Sequence, residues 1–206
     1  MASANQQEQK PIRMSETEYL AFEEQSEIRH EYSRGMVYAM AGAEWEHTLI
    51  AQSASAALYA QLRDTKCKLP TNDLRLKVTS KKVAYRYPDF MVVCGEPRFV
   101  EDRKIIDNPT LVAEVLSPST ALEDRNAKLR EYTAIPSVQV YMLISQDEAR
   151  IEVFSRFETD KWLYSSTAGL DASIELPSIN CTLALADVYE QVNFDIERDS
   201  TEDNGN

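Results

Sequence analysis

The run Leu111-Val112-Ala113-Glu114-Val115-Leu116-Ser117 is a strand pattern with one acid in an otherwise apolar stretch. Side chains alternate across a strand, so Glu114 shares a face with Val112 and Leu116. Apolar residues on both faces predict a strand covered on both sides. An ionised carboxylate placed there costs roughly several kcal/mol unless it is paired or holds a cation. A second acid has the same setting: Pro88-Asp89-Phe90-Met91-Val92-Val93-Cys94 opens on Asp89 and continues as an apolar strand. Two such carboxylates near one end of a sheet make a hard, all-oxygen site, suited to magnesium or manganese.

The segment after Glu114 supplies a cation. Thr120 to Thr133 reads as a helix, opened by Thr120-Ala121-Leu122-Glu123 as a capping box. Asp124, Lys128 and Tyr132 follow at spacings of four, which puts them on one helical face. Each residue also has a plainer reading. Asp124 and Lys128 fit an exposed ion pair, Asp89 fits a turn cap after Pro88, and Glu114 fits a partner for a buried arginine. The plainer readings have to explain two acids that both interrupt apolar strands.

Working outward, Ser15-Glu16-Thr17-Glu18 is a capping box that starts a helix running to about Gln25, with residues 1–14 as a disordered tail. Arg29 to Met40 predicts a hairpin turning at Gly35. A second helix is expected from Glu44 to Arg63, with Trp45, Leu49, Ala54, Leu58 and Leu62 on its inner side. Further strands are expected at 74–79, 138–145, 150–156, 162–165 and 174–176, with a short helix at 185–191. The expected architecture is an α/β domain over 15–196, a central mixed β-sheet flanked by α-helices, followed by an acidic tail over 197–206.

Composition sets the outer bounds. The chain has 206 residues, 43% hydrophobic and 27% charged, which is ordinary for a globular protein and excludes a disordered or fibrous one. Met1 to Arg13 is polar with no apolar core, so a cytoplasmic protein without export signal or membrane span is expected. Cys67, Cys94 and Cys181 are widely spaced with no CxxC pair, which indicates neither a zinc cage nor a disulfide framework, and Cys94 reads as a buried small hydrophobe. The net charge of -12 opposes binding to phosphates. One stretch runs against it: Arg63, Lys66, Lys68, Arg75, Lys77, Lys81, Lys82 and Arg86 face only Asp64 and Asp73, a local +6. Within it Arg75, Lys77, Lys81, Lys82 and Arg86 form a candidate nucleic-acid face, the alternative being a solvated surface.

Pro88-Asp89 followed by Glu114-Val115-Leu116 resembles the core of the PD-(D/E)XK nucleases, the restriction-endonuclease-like superfamily. Glu114 to Thr120, with Asp124, Lys128 and Tyr132 downstream, closely resembles the Uma family of bacterial endonucleases, the Uma-two group. The resemblance extends to Glu31 before Gly35 and to His47 at the start of the second helix. It covers the chain from Ser15 to about Phe194.

The resemblance implies a restriction-endonuclease-like fold and a Mg2+- or Mn2+-dependent endonuclease acting on nucleic acid, DNA foremost, as a homodimer. It implies Asp89, Glu114 and the carbonyl of Val115 as metal ligands, Lys128 as the catalytic cation and Glu31 as an upstream acid at the metal. Asp124, Tyr132 and His47 take supporting roles. The superfamily places its lysine two residues after the glutamate, where this chain has Leu116; the family resemblance implies that Lys128 replaces it from the helix. The alternative is a catalytically silent nuclease fold serving as a binding or assembly module.

Overall fold

The computed structural model describes residues 10–71, 73–79, 82–118 and 120–194. The expected acidic tail over 197–206, residues 1–9 and Lys81 lie outside these.

The central sheet has six strands: β4 (Cys67–Lys68), β7 (Phe90–Cys94), β9 (Leu111–Leu116), β10 (Val140–Ser145), β11 (Arg150–Glu158) and β12 (Lys161–Ala168). Their order is β12-β11-β10-β9-β7-β4. Strands β9 and β10 run parallel with Glu114 beside Leu143, while β7 lies antiparallel to β9 with Phe90 beside Ala113. This pairing brings Asp89, just before β7, to the sheet end where Glu114 and Val115 sit. All six residues of β9 are buried, as a strand with two apolar faces requires.

Helix α1 (Glu16–Gln25) begins on the predicted capping box, both halves of which form. Helix α2 (Trp45–Leu62) covers one face of the central sheet through Ile50, Ala54, Leu58 and Leu62, packed with Leu111, Ala113 and Val115. Trp45, expected on the inner side, is 73% exposed. It sits in the first helical turn, before the helix reaches the sheet. On the same face lies a small hairpin, β13 (Ser173–Leu176) with β14 (Cys181–Ala184), and a short helix, Leu185–Val188.

The other face is covered by a second six-stranded sheet and by the helical segment 121–133. The second sheet contains β1 (Ile12–Arg13), β2 (His30–Ser33), β3 (Met36–Ala39), β5 (Arg75–Thr79), β6 (Val83–Arg86) and β8 (Ile105–Ile106), in the order β1-β3-β2-β6-β5-β8. Ile12 and Arg13, within the segment expected to be a tail, pair instead with Val37 and Met36 at the edge of this sheet. Leu76, Val78, Met91, Val112, Leu116, Tyr132 and Tyr141 fill the space between the layers.

Three local expectations are corrected. The segment 121–133 is not a uniform α-helix, because Asp124–Lys128 is π-helical. Its start makes no capping box either; Thr120 N donates to Ser117 Oγ at 3.3 Å, while the Thr120 side chain makes no cap bond. Cys67 and Cys94 form a disulfide, their Cα atoms 3.9 Å apart. The 27-residue separation is no recognised pattern; the antiparallel register of β4 and β7 is what places Cys67 opposite Cys94. Cys181 is free and buried.

Candidate active site

The expected acids and the lysine converge at one end of the central sheet. Glu114, on the face it shares with Val112 and Leu116, is 4% exposed and accepts from Lys128 Nζ at 3.0 Å and Tyr132 OH at 2.7 Å, both at Oε1. Lys128 Nζ also lies 3.0 Å from Asp124 Oδ1 and 3.6 Å from Glu31 Oε1. Asp124, Lys128 and Tyr132 are all buried, as their fourfold spacing predicts. In a regular helix four-residue steps drift by about 40° each, at about 100° per residue. The wider π-helical turn at Asp124–Lys128 offsets that drift and keeps the three side chains on one line.

Asp89 is held from two sides. Its Oδ2 accepts from the backbone amide of Val115 at 2.7 Å, and its Oδ1 lies 2.9 Å from His47 Nε2 in the first turn of α2. His47 therefore fixes the orientation of Asp89. The pair lines a cavity of about 270 Å³ with Thr48, Gln52, Ser55 and Thr71.

Arg86 is the residue that sequence reasoning misplaced. Expected on a phosphate-binding surface, it is 1% exposed and donates from NH1 to Glu31 Oε2 at 2.7 Å and from Nε to Glu131 Oε2 at 2.8 Å. Its NH2 lies 2.9 Å from Glu123 Oε1, off the hydrogen-bonding direction. Glu131 is tied in turn by Ser33 Oγ at 2.9 Å. Glu131 was not singled out in the sequence, although it follows Lys128 by three positions and so shares its helical face. Arg75 is likewise interior, at 5% exposure, and Lys77 is engaged with Glu16 at 2.8 Å. Lys82 is partnered. The expected basic face over Arg75 to Arg86 is therefore not formed by Arg75 or Arg86.

The electrostatics follow from crowding acids in a dry place. Burial pushes the Glu114 carboxyl up to about 8; Lys128 opposes this, while Asp124, Asp89 and Glu31 add to it. Burial also works against the charge on Lys128, yet Glu114, Glu31 and Asp124 together hold its ammonium well above the ordinary lysine value. For Glu31, Lys128 and Arg86 overcome burial and keep the carboxylate below its usual value. Glu31, Asp89, Glu114, Asp124 and Glu131 thus face Lys128 and Arg86, a surplus of negative charge. Asp124 Oδ1 is a buried oxygen with no hydrogen-bond donor among the described residues, despite its ion-pair distance to Lys128.

This donor set fits a hard divalent cation, because only oxygens are offered and the acids outnumber their counter-charges. Among the described residues no three His, Cys, Asp or Glu form a ready-made metal cage. Asp89 and Glu114 are two carboxylates of the kind magnesium takes while retaining water. No described helix is long and apolar enough to cross a membrane.

A buried glutamate and a half-buried aspartate meet a lysine at the end of a mixed sheet flanked by helices, an α/β arrangement of the nuclease type. The same fold is found in a crystal structure from Anabaena variabilis described as "a putative nuclease belonging to DUF820", with a TM-score of 0.68 and 18% identity over 87% of this chain and 98% of that one. The chain belongs to the Uma2 family, described as "Putative restriction endonuclease", whose profile matches residues 16–186. Two relatives in Synechocystis sp. are the uncharacterized proteins slr1290 and sll1609. They are 33% identical over 88% of this chain and 94% of the relative, and 34% identical over 79% and 92%.

Proposed function

We propose that the chain is a divalent-metal-dependent endonuclease that hydrolyses phosphodiester bonds in DNA. The observation that carries this reading is the meeting of Asp89, Glu114 and Lys128 at one sheet end, the lysine arriving from the helix. Asp89 and Glu114 would hold Mg2+ or Mn2+, with the Val115 carbonyl as a further oxygen. Bound there, the ion supplies polarisation of a phosphoryl oxygen and a more acidic water.

The chain's own residues do the rest. His47 and the Val115 amide hold Asp89 in one orientation. Tyr132 and Lys128 do the same for Glu114. Lys128, held charged by three carboxylates, is suited to orienting the attacking water and to stabilising negative charge that grows on the phosphate. Glu31 pairs with both Lys128 and Arg86 and acts on the cluster through them. Homodimerisation and a cytoplasmic site of action belong to the same proposal, the former checked by light scattering.

The test is a cleavage assay on single- and double-stranded DNA with Mg2+ and with Mn2+, alongside Asp89→Ala. Metal-dependent cleavage that vanishes in a folded Asp89→Ala protein supports the reading. Undiminished cleavage in that variant refutes the site. No cleavage of any substrate by the native protein transfers the weight to a silent nuclease fold. Calorimetric titration with Mn2+ then shows whether the site still takes metal.

A further inference from the structure

A protein of net charge -12 needs local cations to hold a polyanion against its own field. The stretch expected to supply them offers no exposed basic face at the site. Arg75 and Arg86 are interior. Arg63, Lys66 and Lys68 sit at the end of α2 and on β4, whose partners Val93 and Cys94 are at the opposite end of β7 from Asp89.

Exposed cations do flank the acid cluster elsewhere. A groove of about 480 Å³ runs between the turn joining β2 to β3 and the outer side of the segment 121–133. Arg34 and Tyr38 line it from the hairpin, and Leu122, Asn126 and Arg130 from the helical segment. Ala127 and Glu123 are also in its wall, directly beside Lys128 and Asp124, which point inward to Glu114. The groove and the acid cluster are thus two sides of one helical turn.

Three features single out this groove. Among the described residues neither Arg34 nor Arg130 makes an ion pair, a condition shared with Arg13, Arg63 and Arg103, but only Arg34 and Arg130 among these line the groove beside the acid cluster. Arg34 also occupies a strained place. Ser33 and Met36 are paired, so Arg34 and Gly35 form a two-residue turn, with φ of 56° and 84°. Such turns favour Gly, Asn or Asp, and an arginine there points to a use for its side chain. Finally, Tyr38 is 38% exposed and Leu122 78%, offering a ring and an apolar edge beside the two guanidinium groups.

We propose that this groove binds the DNA backbone, Arg34 and Arg130 each contacting a phosphate of a strand that runs past the acid cluster, with the Tyr38 ring against a sugar. The inference rests on the nuclease reading above and names its substrate-holding surface. Glu123, the carboxylate in the wall, is turned to Arg86 and leaves the arginines facing the strand.

The experiment measures binding of a fluorescently labelled DNA duplex by anisotropy over a range of salt, without added metal, for the native chain and for Arg34→Gly, Arg130→Gln and the double variant. Glycine adopts the positive φ of residue 34 freely, so Arg34→Gly keeps the turn, and a thermal melt as high as native confirms that the fold is intact. Each lost phosphate contact removes about 0.9 from the slope of log affinity against log salt, about 1.8 for the double variant, and weakens binding about tenfold near 0.1 M salt. Lys66→Gln with Lys68→Gln, at the far sheet end, leaves affinity unchanged.

A double variant with native affinity and slope overturns the groove, while cleavage by the native protein leaves the nuclease reading standing. A native protein that neither binds nor cleaves DNA overturns both. Binding of an RNA strand but no DNA overturns the assignment of the groove to DNA.

Discussion

Lys128 Nζ stands 3.0 Å from Glu114 Oε1, across a gap of 14 residues and from a different element of the fold. In the nuclease superfamily that the sequence resembles, a lysine stands on the strand two residues after the acid, where this chain has Leu116. Leu116 shares the Glu114 face and is 5% exposed in the core between the sheets. The ammonium beside Glu114 comes instead from the helical segment that follows.

Removing that charge exposes what it balances. Lys128→Met leaves Glu114, Asp124 and Glu31 facing each other in a dry site, and loss of one partner in such a buried cluster costs about 3–5 kcal/mol. Urea denaturation is expected to show this loss, together with loss of cleavage. Adding Glu114→Gln to Lys128→Met recovers part of the stability but none of the cleavage. Equal stability of the two variants would mean that Glu114 and Lys128 are not coupled.

Arg86 separates structural from phosphate-binding arginines. Because it is interior and matched to Glu31, Glu123 and Glu131, Arg86→Met is expected to destabilise by about 3–5 kcal/mol. The conservative Arg86→Lys keeps a charge but loses the forked geometry, and is expected to fall between the two. In Arg86→Lys the salt dependence of DNA binding stays native. A shallower salt slope would place Arg86 at the DNA after all.

The strands at 90–94 and 111–116 were legible because an unbroken apolar run has few other uses, and their two acids stood out against it. Asp124, Lys128 and Tyr132 were legible from spacing, although the π-helical turn that aligns them leaves no mark in the sequence. The pairings made by distant chain were not legible. Arg86 ends a short strand, Val83–Arg86, which the sequence reading passed over, and three carboxylates from two other elements turn it from a surface cation into an interior one. Cys67 and Cys94 meet only because β4 docks on β7. Glu131 gives no signal until Arg86 and Ser33 arrive beside it.

The disulfide makes a direct prediction. Closing a loop of 27 residues restricts the unfolded chain by about 3.5 kcal/mol on the loop-entropy account. Reductant should therefore lower the melting temperature of the native protein and leave Cys67→Ser with Cys94→Ser unaffected. Since Cys94 lies at the far end of β7 from Asp89, reduction should not abolish cleavage at temperatures where both forms are folded. A native protein whose melting is indifferent to reductant would show that the bridge does not form in solution.

Alkaline pH tests the packing between the layers. Burial pushes the Tyr85 hydroxyl up to about 12, helped by its hydrogen bond to the Glu16 carboxylate. Burial likewise raises Tyr19, Tyr87, Tyr132, Tyr141 and Tyr189. A tyrosine in the unfolded chain ionises near ~10. Below that pH both states hold the proton and the stabilising contribution is complete. Between about 10 and 12 the unfolded chain releases protons that the folded chain keeps, so stability falls as pH rises. In a variant with the exposed Tyr38, Tyr59 and Tyr164 replaced by Phe, tyrosinate absorbance and circular dichroism, followed together from neutral to alkaline pH, should therefore change in one steep step, because the buried hydroxyls ionise only as the fold opens. A smooth rise of tyrosinate near ~10 with the dichroism unchanged would show that these side chains reach solvent without unfolding.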